Sequence, residues 1–195
     1  PSVNFSDASL YIVKSSLKYS DVVTEEELET HVERIRRQGR DDALVEAKAA
    51  EKGLPKGIWD TVSAFANTEG GLVILGLDER RGFAPTEGFD PNRVVEQVIA
   101  GLDQASGAQP KVQPVPNHRV DRLRVDDAEV LGIEIDPLRD DPSRPGPCYV
   151  EAKGVLGGSF KRVDDHDKRL TAYEIYLLQM RRVEDGLDRA PVAGT

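Results

Sequence analysis

The chain has 195 residues, 38% of them apolar and 31% charged, with 26 Lys and Arg against 35 Asp and Glu for a net charge of −9. This length can bury one sizeable core, and a single cysteine, Cys148, excludes an internal disulfide framework. The acidic balance argues against a general DNA coater, because non-specific affinity comes mostly from Lys and Arg displacing counterions from phosphate, and no apolar run approaches the roughly 18 residues of a membrane span.

Residues 1 to about 23 show no clear period apart from the apolar Leu10-Tyr11-Ile12-Val13, which reads as a short strand or an adhesive arm. Thr24-Glu25-Glu26-Glu27 is a capping box, and Leu28, Val32 and Ile35 recur at helical spacing until Gly39 supplies a stop. Arg34, Arg36, Arg37 and Arg40 crowd the end of that helix, where they complement the negative end of its dipole; the sharper alternative makes them a phosphate-contacting patch. Leu44 to Ala47 reads as a strand, Pro55 to Ala66 as a helix, and Leu72 to Leu77 as a strand apolar without interruption, as in one covered on both faces. Asn67, Gly70 and Gly71 make the turn between the last two.

A Gly82-Phe83 connection leads to a helix capped by Asp90, with Pro91 at its first position and Val94, Val95, Val98, Ile99 and Leu102 as its core stripe. Gln104 to Pro116 is loop-like. Strands follow at about 118–125 and 129–135, joined across Asp126-Asp127, the second with Leu131, Ile133 and Ile135 alternating. A loop over 139–147 precedes a strand over 148–153. The final helix starts at Thr171, with Tyr173, Tyr176, Leu177 and Met180 on one face, and Pro191 to Thr195 reads as a frayed end. The pattern predicts an α/β (α+β) chain with a mixed, mostly antiparallel sheet flanked by helices. It divides into an N-terminal arm and amphipathic helix over 1–40, one domain over 41–185 and a flexible tail over 186–195.

Three stretches carry a family resemblance. Phe65-Ala66-Asn67-Thr68-Glu69-Gly70-Gly71 and the apolar strand ending Gly76-Leu77-Asp78 form the first; Asp41-Asp42-Ala43-Leu44-Val45-Glu46-Ala47-Lys48, an acid, four residues, an acid, one residue and a lysine, the second. The third runs from Cys148-Tyr149-Val150-Glu151-Ala152-Lys153 through Gly157-Gly158-Ser159-Phe160-Lys161-Arg162 to Thr171-Ala172-Tyr173-Glu174. Together they resemble the Schlafen AlbA-like domain, also called the divergent-AAA or DNA-binding domain, over roughly residues 40 to 182. Asp41-Asp42 stands where that family commonly has Glu-Ser, and Ala47 replaces a common aromatic.

The resemblance implies nucleic-acid binding and, in some relatives, a metal-dependent ribonuclease centre at the positions of Asp41, Glu46 and Asp78. Three converging carboxylates suit Mg²⁺ or Mn²⁺, which take oxygen ligands and activate water against a phosphodiester. The plain alternative is three solvated acids in a chain rich in them. Lys48 falls on the strand face of Glu46 and reads either as a phosphate contact or as one half of a surface ion pair. Gly157, Gly158 and Ser159 read either as a hairpin turn or as a phosphate cradle backed by Lys161 and Arg162. Residues 153–169 hold five basic side chains (Lys153, Lys161, Arg162, Lys168 and Arg169) against three acids.

No Walker-type motif is present, so ATP binding has no residue support. Asp164-Asp165-His166-Asp167 reads as a solvated loop, Cys148 as a buried thiol, and Trp59 as core or groove wall, with base stacking as the alternative. Three functions from different classes are expected. The first is a nucleic-acid-binding or regulatory module for DNA or RNA that uses Lys48, Asn67, Lys153, Gly158, Ser159, Lys161 and Arg162. The second is a metal-dependent endoribonuclease, and the third an interaction domain that self-associates through apolar surface. The expected setting is a reducing cytoplasm with no membrane partner.

Overall fold

The computed structural model of the chain describes residues 24–103, 109–141, 143, 144 and 146–188. The Leu10-Val13 segment, much of the 104–116 loop's first half and the tail from 189 lie outside them. Helix α1 (Glu25–Gln38) begins with the capping box: the Thr24 side chain accepts from the Glu27 N–H, and the Glu27 carboxylate accepts from the Thr24 N–H at 2.9 Å. Gly39 closes it in the left-handed region at φ 71°. A cap contributes about 1 kcal/mol. Burying Leu28, Val32 and Ile35 contributes roughly 1.5–3 kcal/mol each, so packing holds this helix more than its ends do.

Strands β1 (Val45–Lys48) and β2 (Gly71–Leu75) pair in parallel through the crossover helix α2 (Ile58–Ala66). Two further strands, β3 (Leu77–Asp78) and β4 (Ala84–Pro85), form a small antiparallel ladder beside the main sheet. Helix α3 (Pro91–Leu102) is capped by Asp90 as expected, although Ile99 of its expected stripe is 46% exposed. Short β5 (Val112–Gln113) precedes the long hairpin of β6 (His118–Val125) and β7 (Ala128–Ile135). Asp126 and Asp127 both have positive φ at its tip, the conformation a two-residue hairpin turn demands and Asp tolerates.

The main sheet runs β1-β2-β7-β6, with one parallel and two antiparallel pairings, so the fold is α+β. Alternation divides its side chains between two cores. Val45, Ala47, Leu72, Ile74, Val130, Leu123 and Val125 pack with α1, while Val73, Leu75, Leu131, Ile133 and Ile135 pack with α2 and α3. This explains the unbroken apolar run of β2: both of its faces are covered. Gly70 makes its entry possible, since at φ 79° it lies where a Cβ would come within 2.6 Å of the Ile135 carbonyl oxygen.

The carboxyl-terminal part departs from the sequence reading. The expected strand 148–153 is only β8 (Tyr149–Val150), because its partner β5 is two residues long. A 3-10 turn (Glu151–Lys153) and a short helix α4 (Gly154–Gly158) follow. Strands β9 (Phe160–Val163) and β10 (His166–Arg169) then form an antiparallel ribbon against α2. Helix α5 (Ala172–Asp188) buries Ile175 but leaves Tyr173, Tyr176, Leu177 and Met180 exposed. Among the described residues no helix is long and apolar enough to cross a membrane.

Candidate functional site

The family-type acids begin on β1, the edge strand of the sheet. Alternation turns Glu46 and Lys48 away from α1, toward the side on which β9 and β10 lie. Arg162 of β9 meets them there with its side chain 2% exposed. It donates to Glu46 Oε2 at 2.6 Å, to Asp167 Oδ1 at 3.0 Å and to the Asp42 carbonyl at 2.9 Å, and it stacks over the Phe65 ring at 5.2 Å. Lys48 Nζ lies 2.6 Å from Glu46 Oε1 and 3.5 Å from Asp41 Oδ2. Asp41 Oδ1 accepts from the Ala47 N–H at 2.9 Å. Burial opposes the charge on both Arg162 and Lys48, but Glu46 and the other carboxylates outweigh it and hold both cations above their ordinary values.

Asp41 behaves differently. Burial, and next the charge of Glu46, push its carboxyl up to about 7 from 3.8, against the lowering influence of the Ala47 N–H and Lys48. Asp41 contributes its full stability below the unfolded value of 3.8, where it carries its proton in both states. As pH rises through about 7 the unfolded chain gives up that proton first, so native stability falls. Asp41→Asn keeps the acceptor for Ala47 and removes this titration. Relative to the parent, the variant is expected to gain on the order of 4 kcal/mol between pH 4 and pH 8, read by urea unfolding at a series of pH values. A constant difference would refute it.

Asp78 does not join this pair. Gly76, at φ 106°, interrupts the expected 72–77 strand, and the chain turns into β3. There Asp78 caps a 3-10 turn (Glu79–Arg81), accepting from the Arg80 N–H at 3.0 Å. Glu79, unmarked in the sequence reading, is the further acid whose charge reaches Asp41 and Lys48. Among the described residues no group of three His, Cys, Asp or Glu side chains is placed to hold a metal ion. Both Glu46 oxygens already face cations, so the arrangement does not fit a three-carboxylate Mg²⁺ or Mn²⁺ centre.

The expected nucleic-acid contacts are mostly turned inward. Asn67 does not simply make a turn. Its amide donates to the carbonyls of Cys148 and Phe160 at 2.8 Å each, and its oxygen accepts from the Cys148 N–H at 2.7 Å. The Ser63 hydroxyl reinforces this bracket with a 2.9 Å bond to the Cys148 carbonyl. Gly158 and Ser159 are the end of α4, not a phosphate cradle: Gly158 abuts the Val150 backbone, and the buried Ser159 hydroxyl donates to the Val155 carbonyl at 2.7 Å. Cys148 is fully buried, and burial pushes its thiol up, as the inert reading expects.

Several cations elsewhere are also matched. Lys153 holds Asp60 at 2.6 Å and lies over Phe160; Arg34 holds Asp42 at 2.8 Å; Arg36 bonds Asp126; and Arg40 meets Asp164 at 2.8 Å and Asp165 at 3.2 Å. Arg34, Arg36 and Arg40 are therefore fold contacts, Arg37 carries no ion pair among the described residues, and Asp164, Asp165 and Asp167 are partners of Arg40 or Arg162. The ribbon differs. Register places Lys161 opposite Lys168 and Phe160 opposite Arg169. Lys161 is bonded to Glu174, whose carboxyl that bond holds down to about 2. Lys168 and Arg169 are exposed and carry no ion pair among the described residues. The sequence reading counted both in its basic segment but did not mark them as contacts, since the signal lies in cross-strand pairing.

The family model described as Schlafen, AlbA_2 matches residues 41–171. Among solved structures, the N-terminal domain of a RecG-related protein from Nitrosomonas europaea is similar at 21% identity over 73% of this chain and 92% of that one, with a TM-score of 0.49. The DIP2311 protein from Corynebacterium diphtheriae is similar at 18% identity over 80% of this chain and 29% of that one, with a TM-score of 0.46. No curated protein matches the chain.

Proposed function

The chain belongs to the Schlafen AlbA_2 family, and from that premise we propose that it is a nucleic-acid-binding module whose phosphate-contacting surface is the β9–β10 ribbon. The observation that carries this is the exposure of Lys168 and Arg169, without an ion pair among the described residues, beside Lys161. Like charges directly across an antiparallel pair destabilise a ribbon, and one carboxylate, Glu174, offsets one of the three. A phosphate backbone supplies the missing anions. With net charge −9 the surface as a whole is unfavourable to nucleic acid, so binding depends on local basic groups such as these.

The test is fluorescence anisotropy with labelled duplex DNA, single-stranded DNA and tRNA at low and moderate salt. Lys168→Ala with Arg169→Ala is expected to weaken binding about tenfold at low salt. It should also lower the slope of log K against log salt by about 1.4 to 1.8, for two phosphate contacts. Absence of binding to all three, or binding indifferent to the double substitution, would overturn the proposal. Cleavage of the tRNA in Mn²⁺ that Glu46→Ala abolishes would favour the nuclease reading instead.

A further inference from the structure

We propose that the groove between the amino end of α2 and the carboxyl-terminal half of α3 takes one base of a single-stranded nucleic acid, stacked on Trp59, with the adjoining phosphates held by Lys56 and Lys111. The inference rests on the nucleic-acid reading and adds a base-contacting subsite to it. The groove has a volume of about 480 Å³ and an apolar floor that includes Leu54 and Gly101. Trp59 is half-buried, and the edge of its six-membered ring is set against Gly101 so closely that a Cβ there would fall 2.2 Å from Cη2. A ring pinned at one edge has little freedom left to lose, so it is a preorganised platform for a second flat ring.

The polar groups around it suit a nucleotide. Gln97 accepts from the Leu54 N–H at 2.9 Å through Oε1, which leaves its amide N–H groups to donate to a base edge. Lys56, just before α2, and Lys111, just before β5, are exposed and without an ion pair among the described residues. Lys111 is fixed in place: its N–H donates to the Gly101 carbonyl at 2.7 Å, and its carbonyl accepts from the Glu151 N–H at 2.9 Å. Of the nearby acids, Asp60 is held by Lys153, and one Glu151 oxygen accepts from Gln109. Two ammonium groups without an ion pair among the described residues, beside one indole, complement phosphate and base together.

A series of contacts links this groove to the ribbon. Asp60, next to Trp59, holds Lys153; Lys153 lies 5.0 Å over Phe160; and Phe160 is the register partner of Arg169. A strand stacked on Trp59 has a chain of basic and aromatic groups to follow toward Lys168.

Trp59 is the one tryptophan in the chain, so tryptophan-selective fluorescence reads this site alone. The experiment titrates the full chain with oligo(dT), following tryptophan quenching and, with labelled oligo(dT), anisotropy in parallel. The expected result is saturable quenching with the same midpoint as the anisotropy. Lys56→Ala with Lys111→Ala should weaken it about tenfold and reduce the salt slope by about 1.4. Anisotropy change without quenching overturns the groove subsite and leaves the ribbon function standing, whereas no response in either overturns both. Quenching indifferent to the double substitution, or equal quenching by poly-glutamate, also overturns the subsite.

Discussion

Arg162→Met is expected to lower the unfolding free energy by about 3–5 kcal/mol at neutral pH, the largest loss for any exchange in the acidic cluster. The guanidinium is 2% exposed and serves Glu46, Asp167 and the Asp42 carbonyl at once. Without it, Glu46 is left with Lys48 alone, and the Asp42 carbonyl loses its donor. An unpaired buried carboxylate is far more unfavourable than a methionine of similar volume is favourable. Adding Glu46→Met is therefore expected to restore more than half of the loss, since an apolar pair carries no desolvation penalty. Urea unfolding followed by circular dichroism measures both. A single-variant loss under about 1 kcal/mol, or a double variant no better than the single, would show that Arg162 does not anchor the cluster.

How far this arrangement was legible in the sequence depends on the range of the signal. Caps are local, and two were readable: Thr24 with Glu27, and Asp90 before Pro91. The strand at Leu72 was readable because continuous apolar character follows from two covered faces. Its end was not. Gly76 breaks the strand through its own φ and through bonds to Lys48 and Thr86, residues of other segments, and Asp78 left the cluster with that break. The same holds for Arg162, whose partners Asp42 and Glu46 lie 120 and 116 residues away. Spacing shows which face a charge occupies but cannot name its partner across the fold. Gly157-Gly158 carries a local turn signal, yet close approach to the Val150 backbone made it the end of a helix.

This separation also reassigns the motif. Residues that mark the family, Asn67 and Arg162 among them, hold α2, β1, β8 and β9 together, while several cations without an ion pair among the described residues, Lys168, Arg169, Lys56 and Lys111 among them, lie outside the motif's polar positions. A motif can thus specify the frame on which a surface is presented without supplying that surface.

Asn67→Ala tests the frame directly. Its side chain satisfies three backbone groups: the N–H and carbonyl of Cys148, a residue with no exposure, and the carbonyl of Phe160, the first residue of β9. An alanine satisfies none of them. Ser63 still reaches the Cys148 carbonyl and receives the Phe160 N–H at 3.0 Å, but it cannot serve the Cys148 N–H or the Phe160 carbonyl. Two buried groups without partners, at about 1–3 kcal/mol each, give an expected loss of about 3–5 kcal/mol in urea unfolding. Asn67→Asp separates the donor from the acceptor role. Ionised, it keeps the acceptor for Cys148 and sets a carboxylate against two carbonyl oxygens; protonated, it regains one donor. Its loss relative to the parent should therefore shrink as pH falls from 7 to 4, whereas that of Asn67→Ala should not. Equal pH dependence in the two variants would mean that the amide's donors do not hold the ribbon. Because Phe160 opens β9, the alanine variant should also weaken nucleic-acid binding under conditions where it remains folded, by displacing Lys168 and Arg169 without touching either.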